Sequence, residues 1–432
     1  VNFYLYLKHV ISFVNNQLKA IIAAINMRRS KVILFVASAT VLFSCTMHVP
    51  ESFKKGAFGY DLAFLKQHDS VLVLKNDEGS GQIIVSPKYQ AKVFTSTAEG
   101  DSGKSFGWIN YKTFDLKQPD AHMNAFGGED RLWLGPEGSK FALFFKPGTP
   151  MTFDNWHTPA AVDKESWQLE NDSCTGKSVY LTKVTRMQNY AGAVFDIKLS
   201  RAIIILENAD IDKTLGITLD STVKAVGYST INSITNIGKQ AWTEQTGAPC
   251  LWNLDMFNPS PSVTIVIPYQ QQANGEIATT DYFGQIPPDR VKFENGTLFY
   301  KADGKQRGKL GIPPNRLKEF AGSYDAANNV LTIINYSFDP KATYLNQEWR
   351  TDKDPFKGDA VNAYNDGPLA TGGQLGPFYE IESVSPAAFL KPGESLTHVH
   401  KVFHFTGNKA ALNAIAIKTL GVGLSDIQAA FK

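Results

Sequence analysis

Glu380 and Glu382, in the run Pro377-Phe-Tyr-Glu-Ile-Glu-Ser-Val384, stand two residues apart. On a strand that spacing puts both carboxyls and Phe378 on one face. Two acids turned towards a core require a polar cleft, a cation or a raised pKa, and the last suits acid–base catalysis. A second polar segment, Met123–Gly138, gathers Asn124, paired glycines, Glu129, Asp130, Arg131 and Trp133. A guanidinium and an indole so close suit a sugar, one binding hydroxyls and the other stacking on the C–H face. The alternative is a surface turn in which Arg131 pairs with Glu129 or Asp130. Trp242, Trp252, Asn253 and Asp255 follow a long strand and would line a groove, although Trp252 equally suits the core. Asn346, Glu348, Asn362, Asn365 and Asp366 offer oxygens of the kind Ca2+ takes, not at EF-hand spacing, and Asn365-Asp-Gly-Pro368 is also a strong turn signal. His398, His400 and His404 share a strand face, which suits a metal or plain solvent. With a simple turn at Lys391–Glu394, Glu382 would pair with Phe403 and the histidines would face away from the glutamates.

The elements that must position these groups read as strands. Val71–Leu74, Gln82–Val85, Lys140–Phe145, Ser178–Val184, Ala202–Leu206, Val223–Thr235, Val263–Ile267, Val330–Tyr336 and Val399–Phe405 are short runs rich in β-branched and aromatic residues. Turn clusters such as Asn76-Asp-Glu-Gly, Lys146-Pro-Gly and Lys391-Pro-Gly separate them. Helical periodicity is confined to Tyr60–Gln67 and the stretch after Lys409, where Leu412, Ile415, Ala416 and Thr419 line one face. No repeat or low-complexity block interrupts the chain, and the Pro/Gly-rich Gly304–Pro314 reads as an internal loop. The expectation is an all-β protein: one large antiparallel β-sandwich over residues 61–432 with few short helices.

Ahead of it, Met27-Arg-Arg-Ser-Lys, a short apolar run and Leu42-Phe-Ser-Cys45 have the three parts of a secretory signal. The run is too short for a membrane span, which takes about 20 apolar residues. Leu42–Cys45 resembles the lipobox of bacterial lipoproteins, so residues 27–44 are expected to be a signal, Cys45 lipidated, 45–60 a tether, and 1–26 an over-extended gene start. The protein is then expected outside the cytoplasm, held to a membrane by its lipid. Residues 1–44 hold five basic residues and no acid, which leaves 38 basic against 41 acidic residues beyond them, a net charge of −3. A nucleic-acid partner has no basic patch to use. Cys174 and Cys250 do not make a disulfide framework.

Several short segments together resemble the galactose mutarotase-like (aldose 1-epimerase-like) proteins over most of residues 70–405. Gln82-Ile-Ile-Val-Ser-Pro-Lys-Tyr-Gln-Ala-Lys-Val93 resembles their first hairpin. Phe126-Gly-Gly and Cys250-Leu-Trp-Asn-Leu254 sit where such proteins carry His-Gly-Gly and His-x-aromatic-Phe-Asn-Leu. The strand ending near Glu382, followed by Leu390-Lys-Pro-Gly-Glu394, resembles their close. Tyr364-Asn-Asp-Gly-Pro368 and Pro377-Phe-Tyr-Glu-Ile-Glu382 are similar to segments of an exported bacterial group of that fold. The resemblance implies a β-supersandwich and a carbohydrate substrate. It implies Glu382 as general base with Glu380 in reserve, and Arg131 as the sugar-binding arginine. The family's acid histidine falls on Pro249 and its second histidine on Phe126, so His122 or His157 would have to substitute from a neighbouring loop.

Three readings compete. One is a lipoprotein that binds a sugar through Arg131, Trp133, Asn124, Trp252, Glu382 and the Asn365-Asp366 turn. Another is an enzyme on sugars, an epimerase with a relocated acid or another carbohydrate-active enzyme using the two carboxyls. Glu380 and Glu382 would stand roughly 6.5–7 Å apart, within the range for glycoside hydrolysis but on one side of any substrate. The third is a structural or assembly lipoprotein whose polar turns only hold loops.

Overall fold

A computed structural model of the chain describes residues 53–170, 174–369 and 372–432. Cys45, the signal segment and the first half of the expected tether, residues 45–52, lie outside the described residues. Strands β1 (Leu72–Lys75), β2 (Gln82–Ser86) and β3 (Lys92–Thr97) form a small sheet. Then come β4 (Arg131–Gly135), β5 (Gln168–Leu169), β6 (Ser178–Gln188), β7 (Val194–Ile205), β8 (Val223–Asn236), β9 (Cys250–Phe257), β10 (Val263–Pro268) and β11 (Val291–Glu294). The rest are β12 (Thr297–Lys301), β13 (Gly308–Ile312), β14 (Phe320–Asp325), β15 (Val330–Tyr336), β16 (Val361–Asn365), β17 (Tyr379–Val384) and β18 (Ser395–Gly407). A ten-stranded sheet has the order β11-β12-β10-β14-β15-β18-β8-β7-β6-β5, and a five-stranded one β13-β16-β17-β9-β4. The paired strands run antiparallel, as expected of an all-β sandwich.

Register divides the five-stranded sheet into two faces. Leu132 lies opposite Asn253, Asn253 opposite Ser383, Asp255 opposite Ile381 and Ile381 opposite Ala363. This face meets the ten-stranded sheet across the main core, where Leu132, Ile381 and Ala363 join Ile197, Ile203, Ile334 and Val402. The other face carries Arg131 opposite Leu254, Trp133 opposite Trp252, Leu254 opposite Glu382, and Glu380 opposite Tyr364, itself opposite Lys309.

The core face also buries charge. Asp130 pairs with Arg201 at 2.9 Å and accepts from Thr230 and Asn253. Asp255 meets His400 at 2.8 Å, and Ser383 Oγ bridges His400 Nδ1 and His398 Nε2, each at 2.8 Å. Glu129 receives His404 at 3.0 Å and the backbone N–H of Ser96. A buried polar group that loses water needs such partners. Burial pushes His398 down to about 3, with His400 adding to the effect. Burial works against a charge on His400 as well, yet Asp255 outweighs it and the His400 pKa is raised.

These contacts correct three expectations. The histidines do not sit on a solvated face; all three are buried. They do face away from the glutamates, but not through a hairpin register: β17 and β18 belong to different sheets, so Glu382 does not pair with Phe403. Glu129 and Asp130 leave Arg131 free of any surface pairing because both turn into the core. Gly127 makes that turn possible: its φ is +89°, and a Cβ there would stand 2.1 Å from the Trp108 carbonyl oxygen. Lys140–Phe145 is not a strand. Its apolar residues are buried in a looped segment whose backbone groups bond to other loops, Leu143 N–H donating to the Pro136 carbonyl and the Ala142 carbonyl accepting from Tyr190 N–H. An apolar run without alternation does not distinguish the two.

Helices are few. Phe58–Leu65 packs beside β2 and β3, where Phe58, Leu65, Ile84 and Phe94 form a satellite core. Lys409–Leu420 buries Leu412, Ile415, Ala416 and Thr419, the face its periodicity predicts, against Leu331, Phe403 and Phe405 of the ten-stranded sheet. The side chain of Asn408 accepts from the amides of Ala410 and Ala411, and Gly421 at φ +73° ends the helix. Cys250 is buried and Cys174 exposed, and each is a free thiol.

Because the folded state resists charging His398 while an unfolded histidine titrates near 6.5, its contribution to stability is intact above that pH and is lost as the pH falls towards about 3. Denaturation midpoints measured from pH 7 to pH 4 should therefore fall less steeply in His398→Gln than in the wild type. Parallel curves would refute this assignment.

Candidate functional site

The face of the five-stranded sheet turned away from the core floors a cleft. Alternation supplies its floor: Arg131 and Trp133 from β4, Trp252, Leu254 and Met256 from β9, Glu380 and Glu382 from β17, Tyr364 from β16 and Lys309 from β13. Loops add the walls, with Glu137, Trp156, Phe283 and Trp349 among them. The space open to the centre of a water molecule is about 60 Å3, room for several waters at roughly 10–15 Å3 each, and Phe153, 42% exposed, stands at its edge.

Each strand carboxyl has its own cation. Arg131 Nη2 donates to Glu380, and the guanidinium lies over the Trp133 ring at 5.0 Å from its centroid. Lys309 Nζ stands 3.2 Å from Glu382 Oε2, and 4.4 Å from the Trp252 ring centroid. Trp252 Nε1 donates to the same oxygen of Glu382 at 2.9 Å. Glu382 Oε1 and Arg131 Nε are buried without a protein partner among the described residues. Burial lifts Glu380 to about 8; the charge on Glu382 pushes the same way, while Arg131 and Lys309 oppose it. Burial also raises Glu137, against the pull of Lys309. The cleft thus holds carboxyls of unlike environment a short way apart on one strand, with flat rings beside them.

Of the residues singled out from the sequence, Arg131, Trp133, Trp252, Glu380 and Glu382 converge here. Trp252 serves both roles considered for it, being 1% exposed and bonded to Glu382. Asn124 does not line the cleft; its amide group donates to Asp163 at 2.7 Å and holds the neighbouring loop. Asn365 staples a turn, accepting from Gly304 N–H and donating to the Gln306 carbonyl. Asp366 accepts from Tyr364 Oη and Gly376 N–H, so it braces one cleft residue from behind. His122 stays at the rim: Nδ1 meets the Trp156 carbonyl at 2.7 Å and its ring stacks on His157 at 4.9 Å. Phe126 joins an aromatic group with Tyr89 and Phe114, and Pro249 only accepts from Ala388 N–H. Neither position of the expected family histidines reaches the cleft. Of the oxygens considered for Ca2+, those of Glu348 take Lys353 and Asn346 and those of Asp366 take Tyr364 and Gly376, while Asn362 Oδ1 is buried without a hydrogen-bond partner among the described residues. Among the described residues no group of three or more His, Cys, Asp or Glu is placed to hold a metal ion.

Lys309, Arg307, Glu137, Trp156 and Trp349 escaped the sequence reading. Lys309 follows Gly308 and precedes Gly311 in a stretch that reads as a loop. The glycine is required by a close approach, since a Cβ at Gly311 would meet Asp359 Oδ2 at 2.2 Å. The usable signal was the alternation of Arg307 and Lys309 with Leu310 and Ile312 buried beyond.

Removing one partner of a buried ion pair leaves a charge without compensation, at a cost of about 3–5 kcal/mol. Lys309→Met should therefore destabilise the protein by that order at neutral pH, and adding Glu382→Gln should restore part of the loss. A double-mutant cycle by chemical denaturation checks this; strictly additive effects would mean that the two side chains do not act as a pair.

Among solved structures, the chain is similar to the Slr1438 protein from Synechocystis sp. PCC 6803, at 12% identity and a TM-score of 0.46, over 79% of this chain and 96% of that one. It is similar to a galactose mutarotase-like protein from Lactobacillus casei ATCC 334 at 11% identity and 0.43, over 78% and 100%. A galactose mutarotase related enzyme from Lactobacillus acidophilus gives 11% and 0.36, over 78% and 97%. No curated protein matches the sequence. A family model matches residues 56–431, nearly the whole described chain, and the protein belongs to that family, a family of unknown function (DUF6786).

Proposed function

We propose that the protein binds a carbohydrate in the cleft floored by β4, β9 and β17. The observation that carries this reading is the pairing of buried, cation-held carboxyls with indole rings on one sheet face. Carboxylate oxygens and a guanidinium exchange hydrogen bonds with sugar hydroxyls, and Trp133 and Trp252 line the cleft beside them. Glu382 Oε1, buried and unpartnered, is free to accept from a hydroxyl.

Turnover of the bound sugar is the second reading, and the environment of Glu380 favours it. A carboxyl lifted to about 8 keeps its proton at neutral pH and can act as an acid. In an aldose epimerisation Glu382 would take the anomeric O–H proton while Glu380 gives its proton to the ring oxygen. The C1–O5 bond then breaks to the open-chain aldehyde, C1 rotates, and the reverse transfers close the ring with the other configuration. Because the acid form is required, turnover would fall as the pH rises through about 8.

Titrating the purified protein with a panel of sugars, beside Glu382→Gln, tests both. The variant should bind about tenfold or more weakly, the loss expected for a hydrogen bond to a charged group. Anomeric exchange measured by NMR in the wild type and absent in the variant establishes turnover. A panel in which nothing binds sinks the carbohydrate reading.

We infer from Met27–Cys45 that the protein is exported and anchored by a lipid on Cys45, on the strength of the basic, apolar and Leu-Phe-Ser-Cys parts of that segment. Cells fed a fatty-acid label should incorporate it into the wild type and not into Cys45→Ala; equal labelling overturns the anchor.

A further inference from the structure

The cleft contains three cations, and two of them bond to a strand carboxyl. Arg131 has Glu380 and Lys309 has Glu382. Arg307 has no ion pair among the described residues, and its Nε is buried with no hydrogen-bond partner. The guanidinium lies over the Phe283 ring at 4.1 Å from the centroid, which holds it in place without discharging it. Two other carboxyls feel its charge. Asp366 is committed to Tyr364 Oη and Gly376 N–H. Glu137 lines the same cleft, and burial favours its neutral form. A half-buried arginine fixed on an aromatic ring, with an unused donor, is the arrangement that receives an acid group from outside, since the planar fork fits a carboxylate or an oxyacid ester.

We propose that the ligand of this cleft is an acidic sugar, one unit of which carries an anionic group that pairs with Arg307 while a hydroxyl of the same ring donates to Glu382 Oε1. This rests on the carbohydrate reading of the cleft and narrows it. The anion can be a ring carboxylate, as in a uronate, or a sulfate or phosphate ester; all three offer the oxygens the guanidinium takes.

Calorimetric titration of the full-length protein with matched probes tests it: methyl galactoside, methyl galacturonide, and the 6-sulfate and 6-phosphate of methyl galactoside. At least one charged probe should bind more tightly than the neutral one, and which of the three does so identifies the anion. Added salt should weaken the charged probe selectively. In Arg307→Gln the ratio of charged to neutral affinity should fall about 10- to 100-fold, and Arg307→Lys should recover part of it. An unchanged denaturation midpoint in these variants separates lost contact from lost fold. Neutral and charged sugars binding alike, or a preference untouched in Arg307→Gln, overturns the acidic-sugar inference and leaves the carbohydrate reading standing. Failure of every probe to bind removes both.

Discussion

A charge withdrawn from water needs a partner at close range, and β17 meets that demand on both of its faces. Glu380 and Glu382 project into the cleft, where each bonds to a cation, Arg131 and Lys309 respectively. One residue further on, Ser383 projects into the core, bonded to His398 and His400. A slip of one residue would carry the glutamates into the core and Ser383 into the cleft, stranding charge on both sides. The register is thus held by electrostatics as well as by apolar packing, and the position of the cleft carboxyls follows from it.

The ten-stranded sheet serves the cleft indirectly. Its β8 and β18 supply Thr230, Asn232, His398, His400 and His404, which grip the back of the five-stranded sheet through Asp130, Asn253, Ser383, Asp255 and Glu129. Asp130 is the hinge of this arrangement: the next residue, Arg131, turns to the opposite face and enters the cleft. The interior bonds and the cleft bonds therefore share backbone, and geometry imposed on one side is passed to the other through a single peptide.

Local pattern made part of this legible. Alternation placed Glu380 with Glu382, and nearness in the chain placed Arg131 with Trp133. What stayed hidden depends on distant partners. Glu129 and His404 lie 275 residues apart, Asp255 and His400 145 apart, and no short-range signal announces such pairs. Lys309 was masked by glycines that look like loop punctuation yet sit in β13 because neighbours leave no room for a side chain. Asn365 and Asp366, prominent by composition, proved to be turn fasteners, which is the more frequent use of those residue types.

The aromatic lining of the cleft has a kinetic meaning. Phe153, Trp156 and Trp349 stand along it, and a ring that turns across the path of a ligand sets the pace of exchange. Rotamer exchange of exposed side chains takes picoseconds to nanoseconds, fast beside diffusion, so a single ring adds little delay. Any slower step would need Trp156 and Trp349, stacked at 5.8 Å and anchored in separate loops, to part together. That stacked pair would then act as a latch, setting residence time rather than affinity.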